Sequence, residues 1–543
     1  MTRRLLVIAA ILTLTLLSHF QFPGHTYLQA DTQIYAPILE HLYDRGVLSN
    51  DILVRRPHVS FTVYDEVTNG IRHLTGWDLE TSLEVQQLIT RALGIWGVYL
   101  FALAFGLPAP LSLLAAAIFS LGATILGPAV LSFEYEPNPR AFAVPLLILA
   151  TGLAANGRDL GAGIAGAAAF LIHPPTVYPF WGVFFCLVLW PSKPDIMERR
   201  LKALGPLLVA TIILLLASRH QAGVGETQVF FARLDAMQEQ LQRFRGSYAW
   251  VSIWWRSFLP HHLILFAASL LAYWRIRKSA SLDTRFFLIG LPLIGLLSMP
   301  ASYLLLEKAK WALLPQFQPM RALLFLTTTA GIAASIAACK AIESRRILEG
   351  IVWFGLAYLI PANVSAWPFP AGGRLIVIFS LAMVSTLAAW LWSRRPRLAV
   401  AVLAAAILIP FYAVPNWAKI RNYPHLHTPE LSQLSQWALR NTAADAMFLF
   451  PDAKQGLDPG IFRARTLRAV YVDWKGGGQI NYLKELGMEW WSRWQDTMNA
   501  PVTAESLQHF RELGIDYIVL KPANKLAGIT PCYANALYVV YRL

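Results

Sequence analysis

Charge is what this sequence has little of. Only 14% of its 543 residues are Asp, Glu, Lys or Arg, against about 25% in an average soluble domain. So few cannot cover a water-facing surface of that size, which excludes an ordinary soluble fold. Cysteine is scarce as well. Cys186 and Cys339 lie in apolar runs and Cys532 stands alone near the C-terminus, so no disulfide framework is expected. There is no C-x-x-C, no H-E-x-x-H and no G-x-x-x-x-G-K-[ST]; the missing phosphate-binding loop argues against an ATP-driven pump.

What is present is hydrocarbon: 56% of the residues are hydrophobic and the mean hydropathy is +0.46. A bilayer core needs about 20 apolar residues per helical span. Such runs begin with residues 5–22 and recur near 87–106, 109–131, 140–155, 159–174, 176–191, 203–219, 259–275, 285–305, 322–339, 347–364, 374–393 and 397–415, about thirteen in all. No small-residue cleavage site follows the first run closely, so it is expected to stay as a helix. The expected fold is an α-helical polytopic membrane protein over 1–415, followed by a small α/β domain over 416–543. The formal net charge is +14. In a membrane protein such an excess belongs to cytoplasmic loops and lipid headgroups, so lipid contact and not nucleic acid is expected.

Basic clusters set a direction. With the N-terminus inside, the cytoplasmic connections hold Arg158; Lys193, Arg199, Arg200 and Lys202; Arg275, Arg277, Lys278 and Arg285; Lys340, Arg345 and Arg346; and Arg394, Arg395 and Arg397. An odd number of spans then puts the C-terminal domain outside, with the loops 23–86, 132–139, 220–258 and 306–321. The expected location is a bacterial inner membrane, with an extracytoplasmic working surface.

The outward segments carry the chemistry-bearing residues. Asp31 stands at or just before a helix whose spacing is set by Ile34, Ile38, Leu39 and Leu42. It is either a helix N-cap, accepting bonds from free backbone N–H groups, or a surface carboxylate able to act as a base or steady a metal ion. The turn Ser132-Phe-Glu134-Tyr-Glu136-Pro-Asn138-Pro-Arg140 packs two carboxylates and an arginine together. It is either an interfacial salt bridge shaped by proline or part of a site in which Arg140 grips a phosphate. His173 lies in a tight outward hairpin and could orient a phosphate or pass a proton. Lys308, Lys310 and Arg321 make the next outward loop basic, where anionic phosphate is one reason for positive charge. Residues 228–245 carry Phe230, Leu234, Met237, Leu241 and Phe244 as a narrow apolar stripe, suited to lying on the bilayer or to packing under the tail.

The tail alternates helix and strand. Thr428-Pro-Glu opens a helix, 446–450 and 469–472 read as strands, and helices near 480–494 and 503–513 precede strands 517–520 and 537–541. Asp473-Trp474-Lys475 with the following glycines ends a strand, where α/β domains place ligand loops. These three are candidates for the acceptor side.

The layout resembles the C-type glycosyltransferase (GT-C) superfamily, which includes bacterial oligosaccharyltransferases, protein mannosyltransferases and aminoarabinose transferases. The shared features are a cytoplasmic N-terminus, a long acidic first outward loop, eleven to thirteen spans and an outward C-terminal domain. Segment 470–475 is similar to the C-terminal regions of bacterial membrane proteins of that design. Members typically carry Asp-x-Asp or Asp-Glu just after the first span; Asp31 matches the position, while Thr32 and Gln33 break the pair. The resemblance implies transfer of a sugar from a polyprenyl-phosphate donor to an outward-facing cell-envelope glycan or lipid. Asp31 would be the base, Glu134 or Glu136 its partner or a ligand to a divalent metal, and Arg140, His173, Lys308, Lys310 and Arg321 the phosphate-binding set. The alternatives are a non-catalytic GT-C-like protein assisting polysaccharide assembly or export, and a lipid or solute transporter. Transporters place ionisable residues near the midplane, whereas here the acids gather in outward loops.

Overall fold

The computed structural model describes residues 2–55, 62–221, 231–362, 372–481, 483–499 and 501–543. These divide into two compact units. The first comprises residues 1–25, 84–216 and 248–422; the second comprises 26–83, 217–247 and 423–543.

The first unit is helical. Among the described residues six helices are long and apolar enough to cross a membrane: Pro194–Arg219, Val251–Ser279, Leu282–Lys308, Leu314–Glu343, Gly372–Arg394 and Pro396–Asn416. Shorter apolar helices are Arg4–Phe20, Ala109–Phe119, Pro139–Ala155, Asp159–Ile172, Pro174–Leu189 and Ile347–Ala362. Together with Leu79–Leu103 they occupy every apolar run read from the sequence. The run 109–131 is helical only to Phe119. Gly122 and Gly127, both at positive φ, end it in a hairpin of β1 (Thr124–Ile125) and β2 (Val130–Leu131).

Leu323–Glu343 is buried along almost its whole length. Its face of alanines lets neighbours approach closely, and Thr327 and Thr328 return their hydroxyls to the carbonyls of Leu323 and Leu324 at 3.1 and 2.9 Å. Helices Leu79–Leu103 and Pro139–Ala155 meet backbone to backbone. A Cβ at Gly152 would collide with the Gly97 carbonyl, and one at Gly97 would lie 2.6 Å from Leu149 Cα. Asn138 caps the second of these helices, accepting from the Ala141 N–H, and Pro139 follows at its first position.

The second unit is a mixed α/β layer. Its sheet runs in the order β4 (Ala469–Val470), β3 (Met447–Leu449), β5 (Tyr517–Leu520), β7 (Val539–Arg542), β6 (Tyr533–Ala534). The first three strands are parallel and the last two are antiparallel additions. Thr428 caps helix Pro429–Asn441 through the Leu431 N–H, and Gly514 at φ +77° follows the end of Ser506–Glu512. Trp490, Trp494, Ile518, Val472 and Phe510 form the core. Leu241 of helix Ala236–Arg245 joins them; positions 228–230 of the expected stripe lie outside the described residues.

The Gly97–Gly152 crossing yields a test. Gly152→Ala should lower stability by about 1–3 kcal/mol through overpacking, read as a lower unfolding temperature in detergent. Gly355→Ala, with open space around its Cβ position, should be neutral or slightly stabilising. Equal effects would refute the close crossing.

Candidate functional site

In the second unit, Asp31 stands at the N-cap position of helix Thr32–Tyr43, yet its side chain makes no capping bond. Its Oδ1 accepts instead from Lys475 Nζ at 2.9 Å, with Asp31 39% and Lys475 13% exposed. The two residues that break the acidic pair hold the loop. Thr32 Oγ1 accepts from the Leu28 N–H at 2.8 Å, Gln33 Nε2 donates to the Leu28 carbonyl at 2.8 Å, and both side chains are fully buried. Gly460 lies against Gln33, where no Cβ would fit. Positions 32 and 33 therefore serve packing, which a carboxylate buried there would disrupt.

Lys475 follows β4 in a turn built by charge. Asp473 is buried; its Oδ2 accepts from the Lys475 N–H at 3.1 Å and its Oδ1 from the Gly476 N–H at 3.3 Å. Arg463, from helix Asp458–Thr466, donates to Asp473 Oδ1 and to Asp51 Oδ2, each at 2.6 Å. Burial alone would lower the Arg463 pKa, but the two carboxylates outweigh it and hold the guanidinium charged. Trp474 packs edge-on to Phe244, receives the Arg245 guanidinium over its ring at 4.5 Å, and accepts from Arg245 Nε through its carbonyl. So of the three acceptor-side candidates Lys475 meets Asp31, while Asp473 faces inward and shapes the turn.

The segment after the first apolar helix is tied to the tail within the same unit. His427 Nε2 donates to the Tyr27 carbonyl at 2.6 Å, and its Nδ1 accepts from Arg465 Nη2 at 2.6 Å. Gln29 Oε1 accepts from the Leu426 N–H at 2.9 Å. Burial lowers the His427 pKa, the Tyr27 bond opposes this, and Arg465 adds to the lowering.

In the first unit, Glu134 Oε1 accepts from Arg140 Nε at 2.7 Å and from the Leu131 N–H at 3.3 Å. The Glu134 carbonyl accepts from Gln87 Nε2 and Arg91 Nη2 at 2.9 and 3.0 Å. Arg91 is buried and also donates to the carbonyls of Ser18 and Gly24. His25 is held between Gln87 and Glu84 at 2.8 and 2.7 Å. Glu136 is buried beside this turn. Arg140 and Arg321 line one narrow void of about 10 Å³ with Thr176 and Tyr178. His173 Nδ1 bonds Thr176 Oγ1 at 2.6 Å, and the Tyr178 hydroxyl donates to the Pro319 carbonyl at 2.7 Å. Lys308 and Lys310 are not among its lining residues; their ammonium groups lie over the rings of Tyr303 and Trp250 at 5.4 and 5.5 Å.

Sequence reasoning passed over Gln87, Arg91 and Arg463. Arg91 had a signal, a cation in a membrane-length apolar run, which by default needs a named partner. Arg463 had none, because Asp51 is 412 residues away and its own helix, Asp458–Thr466, was not anticipated. Among the described residues no three His, Cys, Asp or Glu side chains are grouped as a metal site.

The chain is similar in fold to solved membrane enzymes. The apo crystal structure of ArnT from Cupriavidus metallidurans matches with a TM-score of 0.50 at 13% identity, over 99% of this chain and 97% of that one. Arabinofuranosyltransferase AftD from Mycobacteria matches with 0.47 at 14% identity, over 100% of this chain and 42% of that one. The chain thus has the GT-C membrane fold. Residues 429–497 match a family described as a domain of unknown function, DUF6798; that stretch carries Arg463, Asp473 and Lys475. No curated protein matches the sequence.

The His427 contacts imply a pH dependence. The folded chain binds the His427 proton less readily than the unfolded chain. Its contribution to stability is therefore complete above about pH 6.5 and is lost as the pH falls below that value. His427→Gln, which keeps a donor for the Tyr27 carbonyl, should flatten the fall in unfolding temperature between about pH 7 and pH 5. Parallel curves for the two proteins would contradict the assignment.

Proposed function

We propose that the protein is a membrane glycosyltransferase of cell-envelope synthesis, moving a sugar from a polyprenyl-phosphate donor to an outward-facing glycan or lipid acceptor. The observation that carries this reading is Asp31. It follows the first apolar run, where members of the resembled superfamily carry an acidic pair, and its partly exposed carboxylate meets a lysine where a cap would have used it on backbone.

In the reaction, the acceptor hydroxyl oxygen attacks the anomeric carbon, the bond from that carbon to the donor phosphate oxygen breaks, and polyprenyl phosphate leaves with the electron pair. Asp31 takes the hydroxyl proton as general base. Phosphate recognition is assigned to Arg140 and Arg321, whose guanidinium groups suit phosphate geometry. Thr176 and Tyr178 line the same void, and His173 orients Thr176. Glu134 serves as the counter-ion that aims Arg140, and Glu136 belongs to the same turn. Lys308 and Lys310 add positive charge toward an anionic headgroup.

A second reading has one observation in its favour. Both Asp31 and Glu134 already carry a counter-ion, as they would in a non-catalytic relative that assists polysaccharide assembly.

Purified protein with a panel of polyprenyl-phosphate-linked pentoses and hexoses separates the two. Asp31→Asn should abolish transfer by 100-fold or more, the order expected of a lost general base, with the fold intact by thermal unfolding. Arg321→Met should instead raise the donor KM. Transfer by Asp31→Asn at the wild-type rate would sink the base assignment. The orientation has its own check: alkaline phosphatase fused after Leu543 should be active in a bacterial inner membrane, and an inactive, well-expressed fusion would reverse the topology.

A further inference from the structure

We infer that the buried trio Asp51–Arg463–Asp473 aims Lys475 at Asp31, so that Asp51 and Arg463 are positioning residues of the proposed base. The inference rests on the reading of Asp31 given above.

The path is continuous within the second unit. Asp51 takes the Leu53 N–H on Oδ1 at 2.9 Å and the Val470 N–H on Oδ2 at 2.8 Å, which fixes it to the end of β4. Its Oδ2 also receives Arg463 Nε. Arg463 passes the constraint through Nη2 to Asp473 Oδ1. Both Asp473 oxygens then hold the backbone of the turn, at the Lys475 and Gly476 N–H groups. The Asp473 carbonyl accepts from Trp490 Nε1 at 2.8 Å, closing the other side. Gly477 lies flat on the Trp490 ring, where a Cβ would come within 2.5 Å, and Gly478 touches Ile34 of the helix that Asp31 begins. From this turn the Lys475 side chain reaches Asp31.

Stability alone does not account for the trio. Replacing a buried ion pair by apolar residues of similar volume is often neutral or stabilising, so such groups are better explained by the register they impose. Here the register is that of one side chain, Lys475. The ammonium beside Asp31 orients the carboxylate, and a base must be aimed before it takes a proton. A fork with two fixed N–H directions suits this task and an ammonium does not.

The test reads Lys475 directly and needs no substrate. Full-length protein in detergent is acetylated with an N-hydroxysuccinimide ester, and the rate at each lysine is followed by mass spectrometry. In the wild type, Lys475 should react slowly and the exposed Lys308 quickly. Asp31→Asn should speed Lys475 at least fivefold by removing its partner. Arg463→Lys and Asp51→Asn should do the same, with Lys308 unchanged and each variant still unfolding cooperatively, at a lowered temperature. Arg463→Lys and Lys475→Met should also fail to multiply in the transfer assay, since one acts through the other.

Unchanged Lys475 reactivity in Arg463→Lys and Asp51→Asn, with a gain in Asp31→Asn, overturns the inference. So does a collapse of the fold in both trio variants and in Asp473→Asn, which would make the trio purely structural. Loss of the base assignment is distinguishable. There Asp31→Asn transfers sugar normally, whatever the lysine reactivities are.

Discussion

Arg463 has no access to water, and a guanidinium in that position persists only with its charge matched. Asp51 and Asp473 match it and take its Nε and Nη2, from 412 residues up the chain and 10 residues down it, while Nη1 finds no partner among the described residues. Removing one partner of such a group costs about 3–5 kcal/mol, so the loop after the first apolar helix and the tail must fold as one body. Much else in the second unit follows from this. The strand β4 is pinned by Asp51, the turn after it by Asp473, and the lysine on that turn then meets a carboxylate at residue 31.

The first unit meets the same constraint differently. Its charges stand among apolar helices, where Arg140, Arg199, Arg200 and Arg275 pair with carboxylates and Arg91 is satisfied by backbone carbonyls. Arg91 collects those of Ser18, Gly24 and Glu134, while Gln87 adds a second bond to the last of them. The turn containing Glu134 is thereby fixed to two helices, and Arg140 is fixed by the Glu134 carboxylate. Close helix packing at Gly97 and Gly152 keeps these donors in register. A cation inside an apolar bundle is thus a framework element before it is anything else.

The departures from the family pattern have physical reasons in the structure. Thr32 and Gln33 hold the loop that presents Asp31, and both are fully buried, so a carboxylate in either place would be a buried charge. A single acid with a lysine partner stands at residue 31. The lysine comes from the segment that matches DUF6798.

The membrane-spanning helices were legible in the sequence because apolar length is a local property: each run either satisfies the bilayer's need for about 20 residues or it does not. Most of the tail's helices and strands were legible for the same reason, through Thr428, Gly514 and the alternation between them, but helix Asp458–Thr466 and strand Tyr533–Ala534 were not. Asp31 could be located by its distance from the first span, but not assigned. Whether its carboxylate caps a helix or meets a cation depends on what lies within about 3 Å of it, and that partner is 444 residues away. Arg463 was invisible for the same reason, since a cation on a short helix between two turns looks like any solvated surface residue. Local composition determined which segments are helical and which are wet. Only the tertiary fold decided which charges are buried, because burial and pairing are relations between residues that the order of the chain does not contain.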